Sequence, residues 1–167
     1  MKDSNSVTSA TKSTLLMTQQ QLLEHWQGHR ALTRRVIEAF PEDEFFSFSI
    51  GGMRPFAIMI KELIAIAAPG AKGLATDTWE QLDEEIDLGQ SKSEILSFWD
   101  KATEDINYWW SQIPLERFQE DVLAFGMYQN KGYCNLLYFI DNEIHHRAQA
   151  YVYLRSLGIA PPAFWER

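Results

Sequence analysis

Apolar residues recur at spacings of three, four and seven along most of this chain, which limits its fold more than any other feature does. The first such segment ends where Pro41 interrupts it, and the second begins directly after Pro55. Four segments can be delimited, at residues 14–40, 55–70, 91–113 and 132–157. They predict four long helices and an all-α fold, a four-helix bundle of the up-and-down type with long loops between its helices.

The segments that connect the predicted helices carry fewer sequence signals of regular structure. Residues 42–54 are rich in phenylalanine and predict an ordered connection that packs its aromatic side chains inward, whereas the acidic residues 71–90 predict a surface loop. Ser91 with Glu94 three residues later forms a capping box at the start of the third helix. Residues 116–131 predict irregular structure with a short extended piece around Val122–Phe125.

Length and composition predict one folded domain. A chain of 167 residues with 46% hydrophobic residues can bury a sizeable core. Residues 1–13 are small and polar and predict a flexible leader, so the domain is expected to cover 14–167. No apolar run approaches the ~20 residues of a membrane span, and no signal peptide is recognisable. With a single cysteine, these features predict a cytoplasmic protein with no membrane partner.

The charge balance argues against one class of partner. The net charge is −8, and an acidic chain lacks the basic surface that contacts with phosphate backbones need. We therefore expect no nucleic-acid partner. A small-molecule substrate or ligand remains open.

Polar side chains cluster within the last predicted helix. Asn142 and His146 are four residues apart and therefore lie one above the other, on a side that also carries Gln149 and Tyr153. This spacing lets two side chains reach one metal ion. A plain solvent face is the alternative, although Tyr138 at its edge is an unusual residue for such a surface.

Glu62 is the only acid between Phe56 and Ala68 and has apolar neighbours three and four residues away. A carboxylate is costly to bury alone, so it must face water, pair with a cation or bind a metal ion. On the first helix, His29 lies four residues from His25, and a hydrogen-bonded core histidine is the simpler reading.

The stretch NEIHHRAQAYVYLRSLGIAPP, residues 142–162, resembles the C-terminal helix signature of the DinB/YfiT-like superfamily. Members commonly carry His-x-x-His-His-Arg-Gly-Gln, followed by Tyr-Leu-Arg and Gly-x-x-Pro-Pro. The resemblance spans roughly residues 15–165. It implies a four-helix bundle, often dimeric, with a divalent metal ion held by one histidine of the second helix and two of the last.

By this resemblance the metal-site positions are Glu62, Asn142 and His146, of which only His146 is the expected histidine. A mixed oxygen and nitrogen donor set holds zinc or nickel less well and suits harder ions better. His145 and His29 are candidates to complete the coordination sphere or to carry a proton.

Two main hypotheses follow. The first is a divalent-metal enzyme acting on a small molecule as a transferase or hydrolase, with a low-molecular-weight thiol such as bacillithiol, mycothiol or glutathione, as in related proteins. The second is a non-catalytic homodimer that binds a ligand or serves a stress response, with a degenerate polar site. A carrier of hydrophobic ligands is a weaker third reading, because aromatic residues are more simply core residues.

Overall fold

Helices carry most of residues 16–167, the part of the chain that this computed structural model describes. The elements are α1 (Gln19–Ala39), α2 (Glu42–Ser47), α3 (Phe56–Thr76), α4 (Lys92–Trp110), a 3-10 turn (Leu115–Phe118), β1 (Asp121–Ala124), β2 (Tyr128–Lys131) and α5 (Gly132–Ser156). The predicted leader, residues 1–13, lies outside the described residues. The chain is mostly helical, but the small sheet departs from the all-α prediction.

Side chains define where the long helices begin. At α1, the Thr18 side chain accepts a hydrogen bond from the backbone N–H of Gln21, whose own side chain accepts from the backbone of Thr18. Ser91 and Glu94 make the same reciprocal pair at α4, which confirms the predicted capping box. Gly158 follows α5 with a φ of +76°, in keeping with the predicted end of that helix.

The predicted end of the second helix at Pro69-Gly70 is wrong. Helix α3 continues through Pro69 to Thr76, and Asp77 ends it with a φ of +57°. An internal proline costs a helix roughly 3 kcal/mol because it removes one N–H and crowds the carbonyl four residues back. The turns beyond Pro69 bury Ala71 and Leu74 completely or nearly so, and this burial offsets the cost.

Helix α3 lies against α4 and α5, and α1 lies against the same two helices. The approach of α3 to α5 depends on Gly70, because a Cβ atom there would lie 2.4 Å from the ring of Phe139. This close contact sets the spacing between the two helices that carry the predicted site residues. No helix within residues 16–167 is both long and apolar enough to cross a membrane.

Two of the predicted connections contain regular structure. Helix α2 forms within residues 42–54 and buries Phe45, as the inward packing of its aromatic side chains predicted. The extended piece predicted near Val122 is β1, which pairs antiparallel with β2 so that Val122 faces Asn130. Strand β2 leads directly into α5, so the hairpin sets the start of that helix.

The spacing of Leu137, Ile140, Ile144 and Tyr151 predicts one apolar stripe along α5, and this prediction is partly wrong. Leu137 is 41% exposed. The buried residues of α5 instead include five polar or charged ones: Asn135, Asn142, Glu143, His146 and Arg147. Hydrophobic periodicity misjudges this helix because polar contacts, described below, satisfy much of its buried surface.

Candidate functional site

The three residues predicted to hold a metal ion come together between α3 and α5. The carboxylate oxygen Oε1 of Glu62 lies 2.9 Å from Nδ2 of Asn142 and 3.0 Å from Nε2 of His146. Asn142 and His146 stand on successive turns of α5, as their spacing predicts. Two side chains of α5 thus contact the same carboxylate oxygen of Glu62 on α3.

Sequence reasoning missed a fourth residue of this cluster. Arg54 donates from Nη2 to the other carboxylate oxygen of Glu62, Oε2, at 2.5 Å. The phenol of Tyr153 donates to the backbone carbonyl of Arg54 at 3.0 Å and so ties this loop to α5. The isolated acid at Glu62 was the available signal, since a carboxylate with only 12% of its side chain exposed needs a cation.

The surroundings keep Glu62 ionised. Hydrogen bonds, first from His146 and then from Asn142 and Arg54, lower the pKa of Glu62 to about 2, against the opposing effect of burial. An ionised carboxylate can only accept hydrogen bonds. Therefore Nε2 of His146 carries a proton, and Asn142 turns its amide nitrogen toward Glu62.

The residue types of the cluster suit a metal ion, but two of the side chains are not oriented or protonated to bind one. A carboxylate, an imidazole and an amide can all bind divalent ions. However, Asn142 would have to rotate its amide to offer oxygen, and His146 would have to move its proton to Nδ1. That Nδ1 atom is buried without a hydrogen-bond partner, although metal-bound histidines usually donate from their second nitrogen.

The third donor at this site is the amide of Asn142. Within residues 16–167, no group of three or more His, Cys, Asp or Glu side chains is placed to hold an ion. The donor set therefore fits a weakly held ion with other ligands from solvent or substrate, and it suits harder ions than a three-histidine site does.

The two other predicted histidines lie in different surroundings. His145 is exposed beside the cluster, with its ring 5.1 Å from that of His146 and its Nε2 2.8 Å from Nε2 of Gln149. His29 is buried against a different side of α5, where Nη2 of Arg147 donates to its Nδ1 at 2.8 Å. Burial, and then the charge of Arg147, lower the pKa of His29 to about 4.

Aromatic side chains flank the cluster, as the sequence predicted. Tyr138 lies one turn before Asn142, is 44% exposed and packs 5.8 Å from the ring of Tyr128. Burial, followed by Tyr128 and Glu62, raises the pKa of the Tyr138 phenol. This exposed ring offers an apolar surface next to the charged cluster.

Behind the cluster lies a second polar network that the sequence did not reveal. The Glu143 side chain is 1% exposed, and its Oε1 accepts from Oγ1 of Thr33 at 2.6 Å. Arg147 donates from Nη1 to the same hydroxyl at 2.9 Å, and Arg30 approaches the Glu143 carboxylate at 3.7 Å. Burial raises the pKa of Glu143 against the opposing charge of Arg30. These contacts hold α5 against α1.

The helical architecture and the placement of the last-helix signature define the class of this protein. The chain belongs to the DinB family, whose model matches residues 4–167. It is similar in fold to a DinB-like protein from Bacillus subtilis, with 16% identity and a TM-score of 0.68 over 88% of this chain and 99% of that one. A DinB-like protein from Bacillus cereus shows 15% identity and a TM-score of 0.69 over 87% and 97%. No curated protein matches the chain.

Proposed function

We propose that the cluster formed by Glu62, Asn142 and His146 holds a divalent metal ion and acts on a small molecule, in a transfer or hydrolysis reaction that uses a low-molecular-weight thiol. The observation that carries this proposal is the convergence of both α5 side chains on one oxygen of Glu62, within 3.0 Å. When bound, the ion would supply a Lewis acid that lowers the pKa of a thiol or water molecule.

The protein's own residues have separate tasks in this scheme. Glu62 contributes the negative charge that attracts the ion, and Arg54 orients its carboxylate from the open side. The exposed ring of Tyr138 contacts the apolar part of the substrate beside the cluster. His145, which is exposed beside His146, exchanges a proton with solvent.

A second candidate function requires no metal. It is favoured by Arg54, which already supplies Glu62 with a cation, and by the buried Nδ1 of His146, which has no acceptor for a proton. In this alternative the cluster is a fixed polar network that joins α3 to α5. The protein would then serve as a binding or stress-response module without catalysis.

The proposal extends to architecture and assembly. The four long helices would form a four-helix bundle, since α1 and α3 each lie against both α4 and α5. Two copies would form a homodimer in the cytoplasm. Exposed apolar side chains on α5, such as Leu137 and Val152, provide surface for such pairing. Light scattering on the full chain measures the oligomeric state.

Metal analysis tests the function. The protein is purified without a histidine tag, and its binding of Mn²⁺, Ni²⁺ or Zn²⁺ is measured at equilibrium by dialysis, because desalting would remove a weakly held ion. We expect close to one ion per chain at saturation for the wild type and an affinity lower by about tenfold or more for Glu62→Ala and His146→Ala. The matched control, His145→Ala, removes a neighbouring imidazole and should keep the ion. Equal metal binding by all four proteins would contradict the proposal and favour the metal-free alternative.

A further inference from the structure

A cavity open to solvent lies on a different side of α3 from Glu62. It has a volume of about 500 Å³ and is bounded by α3, α4 and the segment 77–91 that connects them. Pockets that hold small molecules measure roughly 300–1,000 Å³. Apolar side chains form most of its walls, among them Ile64, Ile86, Phe98 and Trp109. Glu62, Asn142 and His146 take no part in it.

The wall formed by the segment 77–91 is anchored at both ends. Near its start, the ring of Trp79 packs so closely on Gly73 that a Cβ atom there would lie 2.4 Å from it. The same ring packs edge-on to Phe125 at 5.3 Å. Near the other end, Leu88 is 2% exposed and belongs to the core. The cavity is therefore formed before a ligand arrives, which lowers the entropic cost of binding.

Pro69 removes one backbone donor from the wall of the cavity. Because proline has no N–H, the carbonyl of Ala65 loses the donor that a helix normally supplies four residues later. Ala65 and Pro69 both line the cavity. Recognition of a polar ligand therefore depends on the charged side chains of the cavity.

The charges around the cavity favour a positive ligand. Its two lysines are already paired, Lys72 with Glu80 and Lys101 with Asp105. The fifth charged residue, Asp83, accepts a backbone N–H from Glu85 and pairs with no cation in the described part of the chain. The segment 77–90 as a whole carries six acids and no lysine or arginine. Its field attracts cations.

We infer that this cavity binds a small organic cation, an ammonium group carried on an aromatic or aliphatic body. An ammonium group only donates hydrogen bonds, and the Asp83 carboxylate, which pairs with no cation in the described part of the chain, can accept one. Phe98 and Trp109 line the cavity with aromatic rings, which attract cations, and with apolar area for the ligand body. This site is independent of the proposed metal site.

Phenethylamine, protonated at pH 7, is a suitable probe, and 3-phenylpropionate provides an anion with a similar body. Binding to the full chain is followed by amide chemical shifts in NMR titrations. We expect saturable shifts at Ile86 and Phe98 with a Kd below about 1 mM for the amine. For the anion we expect no saturation in the same range. Ala68→Trp, which places a large ring in the cavity, should abolish binding of the amine.

A pair of conservative variants keeps the test valid even if Ala68→Trp fails to fold. Asp83→Asn should weaken amine binding about two- to fivefold. Asp87→Asn is the matched control, because Asp87 lies in the same acidic segment and accepts a backbone N–H from Gly89 in the same way, but does not line the cavity. Its Kd should equal that of the wild type.

Glu62→Ala separates this inference from the proposed function, since it removes a proposed metal ligand and should leave the amine Kd unchanged. The inference is overturned if shifts do not saturate, if the anion binds as tightly as the amine, or if Asp87→Asn weakens binding as much as Asp83→Asn. It is also overturned if Glu62→Ala abolishes amine binding.

Discussion

Nε2 of His146 lies 3.0 Å from Oε1 of Glu62, although 84 residues separate them in the chain. This contact ties α5 to α3 through an ionised acceptor and a donor that burial keeps from water. It determines what each residue of the cluster can do, because the carboxylate accepts and its three neighbours donate.

Glu62→Ala should destabilise the protein by about 2 kcal/mol, because the buried N–H groups of Asn142 and His146 would lose their acceptor. Urea denaturation followed by circular dichroism gives the free energy of unfolding. Glu62→Gln keeps an acceptor oxygen and should lose less. Glu116→Ala, at an exposed position, should change stability by less than about 0.5 kcal/mol. Equal losses for all three variants would contradict the central role of Glu62.

The contribution of Glu62 should depend on pH. Its pKa falls from the ordinary 4.5 to about 2 on folding. The stabilisation is therefore fully present above about pH 4.5 and is lost as the pH falls through 2. A full shift of this size corresponds to about 3 kcal/mol, and screening by solvent at the partly exposed carboxylate reduces the expected contribution to about 2 kcal/mol.

Unfolding free energies of wild type and Glu62→Gln, measured in urea at pH 7, 5 and 3, check the sign. The advantage of the wild type should be the same at pH 7 and 5 and smaller at pH 3. An advantage that grows on acidification would show that the Glu62 pKa is raised on folding, contrary to the structure.

Removal of the buried Glu143 carboxylate should be more damaging. Glu143→Ala would leave the guanidinium groups of Arg30 and Arg147 inside the protein without their shared anion, at a cost of about 3–5 kcal/mol. Thermal unfolding of the variant measures the loss. The neighbouring exposed acid provides the control, and Asp141→Ala should unfold near the wild-type temperature. A Glu143→Ala protein as stable as the wild type would contradict this account of the network.

Pro69→Ala should stabilise the protein by about 1–2 kcal/mol. The alanine restores the N–H that the Ala65 carbonyl lacks and relieves the crowding by the ring, while part of the gain is lost because proline also restricts the unfolded chain. Denaturation in urea measures the change. A loss of stability would indicate that α3 is not a continuous helix at this position.

The sequence predicted the two α5 positions of the candidate site because Asn142 and His146 lie within one helix, where spacing alone sets the geometry. Glu62 could be identified as an acid without neighbours to satisfy it. Arg54 could not, since its contact with Glu62 depends on the path of the loop before α3. The same limit applies to Thr33 and Glu143, whose contact joins helices 110 residues apart.

Pro69 shows why a rule based on local sequence can fail to predict where a helix ends. The rule that proline ends a helix describes a real energetic cost. It does not include the apolar surface that α3 buries beyond that point, such as the side chain of Leu74. Packing of this kind depends on the whole structure, and it decided both the length of α3 and the size of the loop after it.

Adjacent residues of α5 form hydrogen bonds to different helices. Asn142 and His146 bond to α3, and the next residue in each case, Glu143 and Arg147, bonds to α1. Rotation of α5 about its own axis would stretch the bonds to α3 and those to α1 at the same time. Any change in the distance between Glu62 and its partners on α5 must therefore come from α3 or from the Arg54 loop.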